Sequence, residues 1–374
     1  MNDALAWLTE AARKQLQGCR ITAHDGTAMF TPDGSASYKA LWTRDFSYMV
    51  ENAGDLLDPA EIRAAILYLL RGQRADGCIP DRVQGDGLVV YSAGPADRPL
   101  GDVPTDNAQF MVNLVYDYAR LTGDRAFACQ HHEALRRAMD FTRRDASGLV
   151  YIPPGHVQSP YGFTDIVGKT GGLLFSSLLY WGACKKMIEM SAWGGADAAP
   201  YHERAAQIER GLDALWDEEQ GVFLAATVDC RQVDIWGNAF AVYIGIVQGA
   251  RRDRVLRFLR DHYDDYVLRG QVRHLLRGEF WERIIELPHL FPPGTYQNGA
   301  YWGTPSGWVI YALAQVDEAL ARRMVADLVA DFKANGIWEC VGEGGYRKCE
   351  HYVTTVTNPR GALRRLPALV VEIR

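Results

Sequence analysis

Gly171-Gly172-Leu173-Leu174-Phe175-Ser176-Ser177-Leu178-Leu179-Tyr180-Trp181 is a nearly unbroken run of apolar or small residues. A helix built from it has no polar face and has to be covered on every side. Helical periodicity extends the run to 171–191. A long loop, 145–170, precedes it, and a short link near 195 leads on to a second helix at 199–217. The same unit repeats in both directions. The periodicity predicts helices over about 2–17, 44–56, 59–73, 105–122, 125–144, 171–191, 199–217, 236–249, 252–264, 304–315, 317–334 and 359–370. Short links near 57, 123, 195, 250 and 316 alternate with long loops at 18–43, 74–104, 145–170, 218–235, 265–303 and 335–358.

A short link makes its two helices antiparallel neighbours. Six such hairpins close into a ring, with every second helix inside and the six long loops gathered at one end. The expected fold is therefore all-α, an (α/α)6 barrel forming a single catalytic domain over 1–374. Helices 125–144 and 252–264 are charged along one face, as outer helices should be. Asp58-Pro59-Ala60-Glu61 has an N-cap followed by Pro at the first helical position. Leu149-Val150-Tyr151-Ile152 and Gly221-Val222-Phe223-Leu224 suggest small β-hairpins inside the long loops.

The 374 residues, 48% hydrophobic and 23% charged, suffice for a large core. A net charge of -6 gives no general attraction to nucleic acid or anionic membranes. No apolar stretch reaches the roughly 18 residues of a membrane span. Met1 to Gln17 lacks the features of a secretory signal, so a cytoplasmic enzyme is expected. The seven cysteines are scattered without a CxxC pair, and the nine histidines form no HxH or HExxH cluster. Neither a metal nor a cofactor is expected, and the sequence leaves the oligomeric state open.

The chemistry collects just before the inner helices. The six lead-in segments are Leu41-Trp42-Thr43-Arg44-Asp45, Pro104-Thr105-Asp106-Asn107, Tyr161-Gly162-Phe163-Thr164-Asp165, Asp234-Ile235-Trp236-Gly237-Asn238, Tyr296-Gln297-Asn298-Gly299-Ala300-Tyr301-Trp302, and Trp338-Glu339 through Asn358-Pro359-Arg360-Gly361. Five of the six mix aromatic rings with carboxylates, amides or Arg, and Pro104-Thr105-Asp106-Asn107 supplies polar groups alone. A sugar needs that mixture, since its C–H faces stack on rings while its hydroxyls need fixed donors and acceptors. In any one segment an Asp is explained as well by helix capping. Six in register favour a sugar-binding rim.

Trp42-Thr43-Arg44-Asp45, Asp76-Gly77-Cys78-Ile79-Pro80 and Tyr296-Gln297-Asn298-Gly299-Ala300-Tyr301-Trp302 resemble the pattern of the six-hairpin glycosidases, which include the glucoamylase, trehalase, debranching α-1,6-glucosidase and processing α-glucosidase families. The likeness runs from about residue 38 to 365. It implies an exo-acting, inverting glycoside hydrolase that cleaves a small oligosaccharide or glycoside. Asp165 falls where those families keep the general acid, and Glu339 where they keep the base, with Glu350 and Glu343 as rivals on the same loop. Trp42, Arg44, Asp45, Asp106, Tyr161, Trp236, Gln297, Asn298, Trp302 and Trp338 are the implied substrate contacts. Two departures leave sugar and linkage open: the debranching pattern has His where Gln297 stands, and the trehalase and processing-glucosidase signatures around the acid are absent.

Inverting hydrolysis needs one protonated carboxyl and one ionised carboxylate about 6.5–9.5 Å apart. Phe163, Ile166 and Val167 around Asp165 would hold its proton on. The same ring also carries sugar 2-epimerases, disaccharide phosphorylases and silent carbohydrate-binding proteins. An epimerase needs His at the rim, for which His24, His156, His274, His289 and His351 are available. A phosphorylase needs a basic phosphate pocket, for which Lys169 and Arg360 are candidates.

Overall fold

A computed structural model describes residues 2–285 and 288–366. Thirteen α-helices are found among them: α1 Asn2–Gly18, α2 Thr43–Ala53, α3 Pro59–Leu70, α4 Asn107–Thr122, α5 Arg125–Phe141, α6 Leu174–Gly194, α7 Ala199–Gly211, α8 Ile235–Ile244, α9 Gly249–Asp261, the single turn α10 Tyr263–Tyr266, α11 Ser306–Leu313, α12 Glu318–Asn335 and α13 Thr354–Arg364. Six of them touch in succession, α2, α4, α6, α8, α11 and α13, and α13 returns to α2. That closed inner ring is wrapped by α1, α3, α5, α7, α9 and α12, giving the (α/α)6 barrel expected from the sequence. Leu174 to Tyr180 on α6 are all buried, which is the environment their composition demands.

Several boundaries moved, each for a local reason. Helix α6 begins at Leu174 because Gly171 and Gly172 pair instead with Ile152 and Tyr151. Gly171 sits at φ +81°, outside the helical region, and a Cβ there would lie 2.3 Å from the Thr227 hydroxyl. The segment 212–217 leaves the helix, and Trp216–Asp217 pairs with Val222–Phe223. The last inner helix starts at Thr354, five residues before the Asn358-Pro359 read as its approach. Contacts with α2 hold this turn helical despite the Pro: Asn52 Nδ2 donates to Asn358 Oδ1 at 3.1 Å, and Arg360 Nη1 to the Asn52 carbonyl at 2.8 Å. Its expected end at 367–370 lies outside the described residues. At α3 the Asp58 side chain does cap, accepting from Ala60 N at 2.8 Å.

The long loops are tied together by short antiparallel sheets. A five-stranded one runs Val267–Leu268, Gln271–Val272, Tyr301–Trp302, Trp338–Val341, Arg347–Glu350, joining the fifth and sixth loops. A three-stranded one pairs Ala40–Trp42 with Arg82–Gln84, and the latter with Val89–Val90. Among the described residues no helix is long and apolar enough to cross a membrane.

Candidate active site

The strand Ala40–Trp42 feeds directly into α2, and its pairing of Trp42 with Arg82 fixes the first lead-in segment. Thr43 N and Oγ1 donate to the Asp81 and Pro80 carbonyls at 2.9 and 2.7 Å. Arg44 is thereby held inside the rim, 3.6 Å from Asp81 and 3.5 Å from Asp106, with its guanidinium 5.7 Å from the Phe163 ring centre. Gly162 makes that placement possible, because a Cβ there would lie 1.6 Å from Arg44 Cζ. Its N–H donates to Asp106 Oδ2 at 2.9 Å. The Tyr161-Gly162-Phe163-Thr164-Asp165 turn therefore folds around the Arg44 side chain.

This packing brings Trp42, Arg44, Asp45, Asp165 and Glu339 to one small cavity of about 30 Å³, completed by Pro32, Tyr38, Phe163, Tyr296 and Tyr352. It opens through Trp42, Tyr38, Tyr296 and Asp165 into an outer vestibule of about 480 Å³. The inner space as it stands suits a single water. Tyr296 closes it from above, with Lys348 Nζ 3.1 Å over its ring centre.

The two carboxyls expected to do the chemistry sit in contrasting surroundings. Asp165 is partly exposed, through the cavity it lines, and burial pushes its carboxyl up to about 7 against the pull of Arg44 and of Gln297, whose Nε2 donates to Oδ1 at 2.6 Å. Glu339 is 2% exposed on the strand Trp338–Val341. Burial raises its pKa, but Lys348 Nζ, 3.3 Å from Oε2, and the Tyr38 hydroxyl, donating to Oε1 at 2.8 Å, pull the other way. Asp45 accepts from the Tyr352 hydroxyl at 2.7 Å and is pushed up to about 6 by burial. Trp42 Nε1, Arg44 Nε and Nη1, and Glu339 Oε2 are buried without a hydrogen-bond partner. Arg44 Nη1 and Glu339 Oε2 do have ion-pair partners, Asp81 and Asp106 for the one and Lys348 for the other, so the groups with no partner of either kind are Trp42 Nε1 and Arg44 Nε, and leaving such atoms unpaired costs about 1–3 kcal/mol each.

The remaining expected contacts stand one layer back. Asp106 supports Arg44, and Gln297 supports Asp165. The Tyr161 hydroxyl meets that of Tyr48 at 2.8 Å, inside the aromatic core. Trp236 stacks on His274 at 3.6 Å, Asn298 accepts from Trp281 N, and Trp302 Nε1 donates to the Tyr296 carbonyl at 3.3 Å. Trp338 points to the other side of its strand from Glu339, and its Nε1 donates to the Asn335 carbonyl. Glu350, opposite Trp338, does not line the cavity, and Glu343 lines a different surface pocket beside Arg277. Gly342 to Gly345 connects the strands of Glu339 and Lys348.

The residues of the rival chemistries do not assemble here. None of His24, His156, His274, His289 and His351 lines the cavity. Lys169 is buried beside Asp234 at 3.6 Å, and Arg360 is bonded to Asp55. Sequence reasoning missed Tyr38, Lys348 and Tyr352. For Lys348 the one signal was the Gly-rich turn Gly342 to Gly345, since a hairpin centred on it brings Lys348 beside Glu339.

No protein-family model and no curated protein matches the chain. Solved structures do. The GH63 mannosylglycerate hydrolase from Thermus thermophilus, in complex with glucose, is 17% identical over 96% of this chain and 100% of its own, with a TM-score of 0.67. The GH78 rhamnosidase of Bacillus sp. GL1 is 16% identical over 97% of this chain and 35% of its own, at 0.67. The rhamnosidase of Klebsiella oxytoca with rhamnose bound is 18% identical over 98% and 64%, at 0.68. What these likenesses carry is the fold: the chain has the (α/α)6 architecture of the six-hairpin glycosidases.

Proposed function

We propose that the chain is an inverting, exo-acting glycoside hydrolase of small glycosides, with Asp165 as general acid and Glu339 as general base. The observation that carries this reading is the pair of carboxyls on one cavity, one with its pKa pushed up to about 7 and the other beside the Lys348 ammonium. Asp165 gives its proton to the glycosidic oxygen as the bond to the anomeric carbon breaks. A water attacks that carbon from the opposite face and gives a proton to Glu339 Oε2. Bulk water then restores the proton to Asp165 and removes it from Glu339. The unpaired donors of Trp42 and Arg44 would hold hydroxyls of the terminal sugar, and a cavity sealed below by Phe163 favours chain ends. The sugar enters by displacing the Tyr296 ring. The sugars in the glycosidase neighbours support this class of substrate.

A panel of aryl glycosides, with the anomer of the first product read by NMR, tests the proposal. Inversion is expected. Asp165→Asn and Glu339→Gln should each lower kcat by about 10²–10⁴-fold with the fold intact, and Asp165→Asn less so on substrates with acidic leaving groups. Full activity in either variant, or a retained anomer, sinks the assignment.

A further inference from the structure

The bore of the barrel is plugged halfway by aromatic rings, with Tyr48 6.2 Å from Phe163 and 5.0 Å from Phe110. Beyond the plug, at the C-terminal ends of the inner helices, lies a second well of about 360 Å³. It shares no lining residue with the catalytic cavity or its vestibule. Its volume falls in the range of small-molecule sites.

The charges in the well are balanced. Glu51, Asp117 and Glu189 face Lys185, Lys186 and Arg365. Lys186 Nζ is 3.0 Å from both Asp117 oxygens, Arg365 is 3.5 Å from Glu51, and Glu189 accepts from the Tyr116 hydroxyl at 2.6 Å. Glu189 is also 3.3 Å from Arg120, and Lys185 Nζ lies 5.6 Å over the Trp181 ring, so the well carries no excess of one charge. Two polar groups are left over. Asn113 is only 8% exposed and lines the well, and its amide, which is not among the sealed unpaired groups of the protein, is open to that space. The Tyr243 hydroxyl is in the same position, its ring 6% exposed beneath the Arg365 guanidinium at 4.3 Å. An amide that opens into a well offers two donors and an acceptor to whatever fills it.

We propose that this well is a second, non-catalytic binding site for a neutral polyhydroxylated molecule, a monosaccharide or a polyol. The rings of Trp181 and Phe240 offer faces for its C–H surface, and Asn113 and Tyr243 take its hydroxyls. The site is independent of the hydrolytic reading, because no group in it belongs to the catalytic cavity.

The test titrates the full chain carrying Arg44→Ala, which disables the catalytic cavity, with D-glucose, D-mannose, L-rhamnose, glycerol and myo-inositol by ligand-detected NMR. At least one should bind. Adding Gly182→Phe fills the well from α6, where a side chain meets nothing within 4 Å, and should weaken binding by about tenfold or more. Asn113→Leu, added separately, should do the same. Gly182→Phe alone should leave the wild-type kcat/KM unchanged. If no panel member binds, or if binding persists in the well variants, the site is refuted; should Gly182→Phe not fold, Asn113→Leu decides, and should Arg44→Ala not fold, Trp42→Ala takes its place as the background. An inactive wild-type chain would overturn the hydrolase proposal and leave this result standing.

Discussion

Gln297 Nε2 donates to Asp165 Oδ1 at 2.6 Å while its Oε1 accepts from Ile166 N at 3.1 Å, so one side chain of the fifth loop clamps the turn that carries the acid. Buried at 0% exposure, it reaches Asp165 from behind the cavity. Its donated hydrogen bond favours the ionised carboxyl, which opposes the effect of burial. Gln297→Leu should therefore move the alkaline limb of the kcat/KM profile to higher pH. It should also lower kcat by about ten- to a hundredfold through misplacement of the acid. A lower rate with an unmoved limb would leave Gln297 a merely structural role.

The wild-type profile itself should be bell-shaped. Asp165 must be protonated to act as acid, so activity falls as pH rises through about 7. Glu339 must be ionised, and its pKa is raised from 4.5, so activity falls on the acid side at a pH above that value. Initial rates from pH 4 to 9 on one aryl glycoside check both limbs. Full activity well above pH 8 would contradict Asp165 as the donor.

The ring was legible because the apolar run of α6 and the alternation of long and short links follow directly from which helices are covered. Trp42, Arg44, Asp45, Asp165 and Glu339 were legible too, since each stands next to the start of an inner helix or on the strand leading there. The same segments supplied Asp106, Tyr161, Trp236, Gln297, Asn298, Trp302 and Trp338, which stand behind the cavity. Spacing marks the end of the barrel at which a residue sits. It does not mark which side of the turn its side chain takes, and at Gly162 that depends on Arg44 from the first turn of α2. Lys348 escaped notice for a related reason, because it reaches Glu339 only once the register of its hairpin is known.

Lys348 should keep the base ionised. Its ammonium is 3.3 Å from Glu339 Oε2 and is among the influences lowering that group's pKa. Lys348→Met leaves the buried carboxylate without its cation, so the acid limb of the profile should shift to higher pH and activity near pH 6 should fall. Lys348→Arg should restore most of the wild-type profile. The ordering of the three acid limbs is the measurement, and identical limbs in wild type and Lys348→Met would refute the role.

Gly162→Ala tests the packing that assembles the site. The added Cβ would lie 1.6 Å from Arg44 Cζ, and the guanidinium cannot retreat without leaving Asp106 as a buried carboxylate with no cation, whereas Asp81 keeps Arg82 at 2.9 Å. A loss of several kcal/mol is expected, of the order of about 3–5 for a broken buried ion pair. Thermal melts of the variant beside Gly182→Ala, an interior position of α6 whose Cβ meets open space and where Ala favours the helix, show that a Gly→Ala change without a clash does not lower stability. Equal melting temperatures for the two would mean that Arg44 is not held as described.

The raised pKa of Asp165 also predicts how stability varies with pH. Between its unfolded value of 3.8 and its folded value of about 7, the folded chain holds a proton that the unfolded chain has lost. Its contribution to stability is thus complete below pH 3.8 and declines as pH rises to about 7, beyond which the buried carboxylate is a net cost. At about 1.4 kcal/mol per pKa unit the upper limit is about 4 kcal/mol, reduced by solvent reaching the cavity. Asp165→Asn removes the titration and keeps an acceptor for Gln297. The variant should then be more stable than wild type at pH 8, by up to that amount, with the advantage shrinking toward pH 4. Urea unfolding at pH 8 and pH 5 measures both differences, and an advantage that is constant with pH would show that Asp165 is not buried with its proton on.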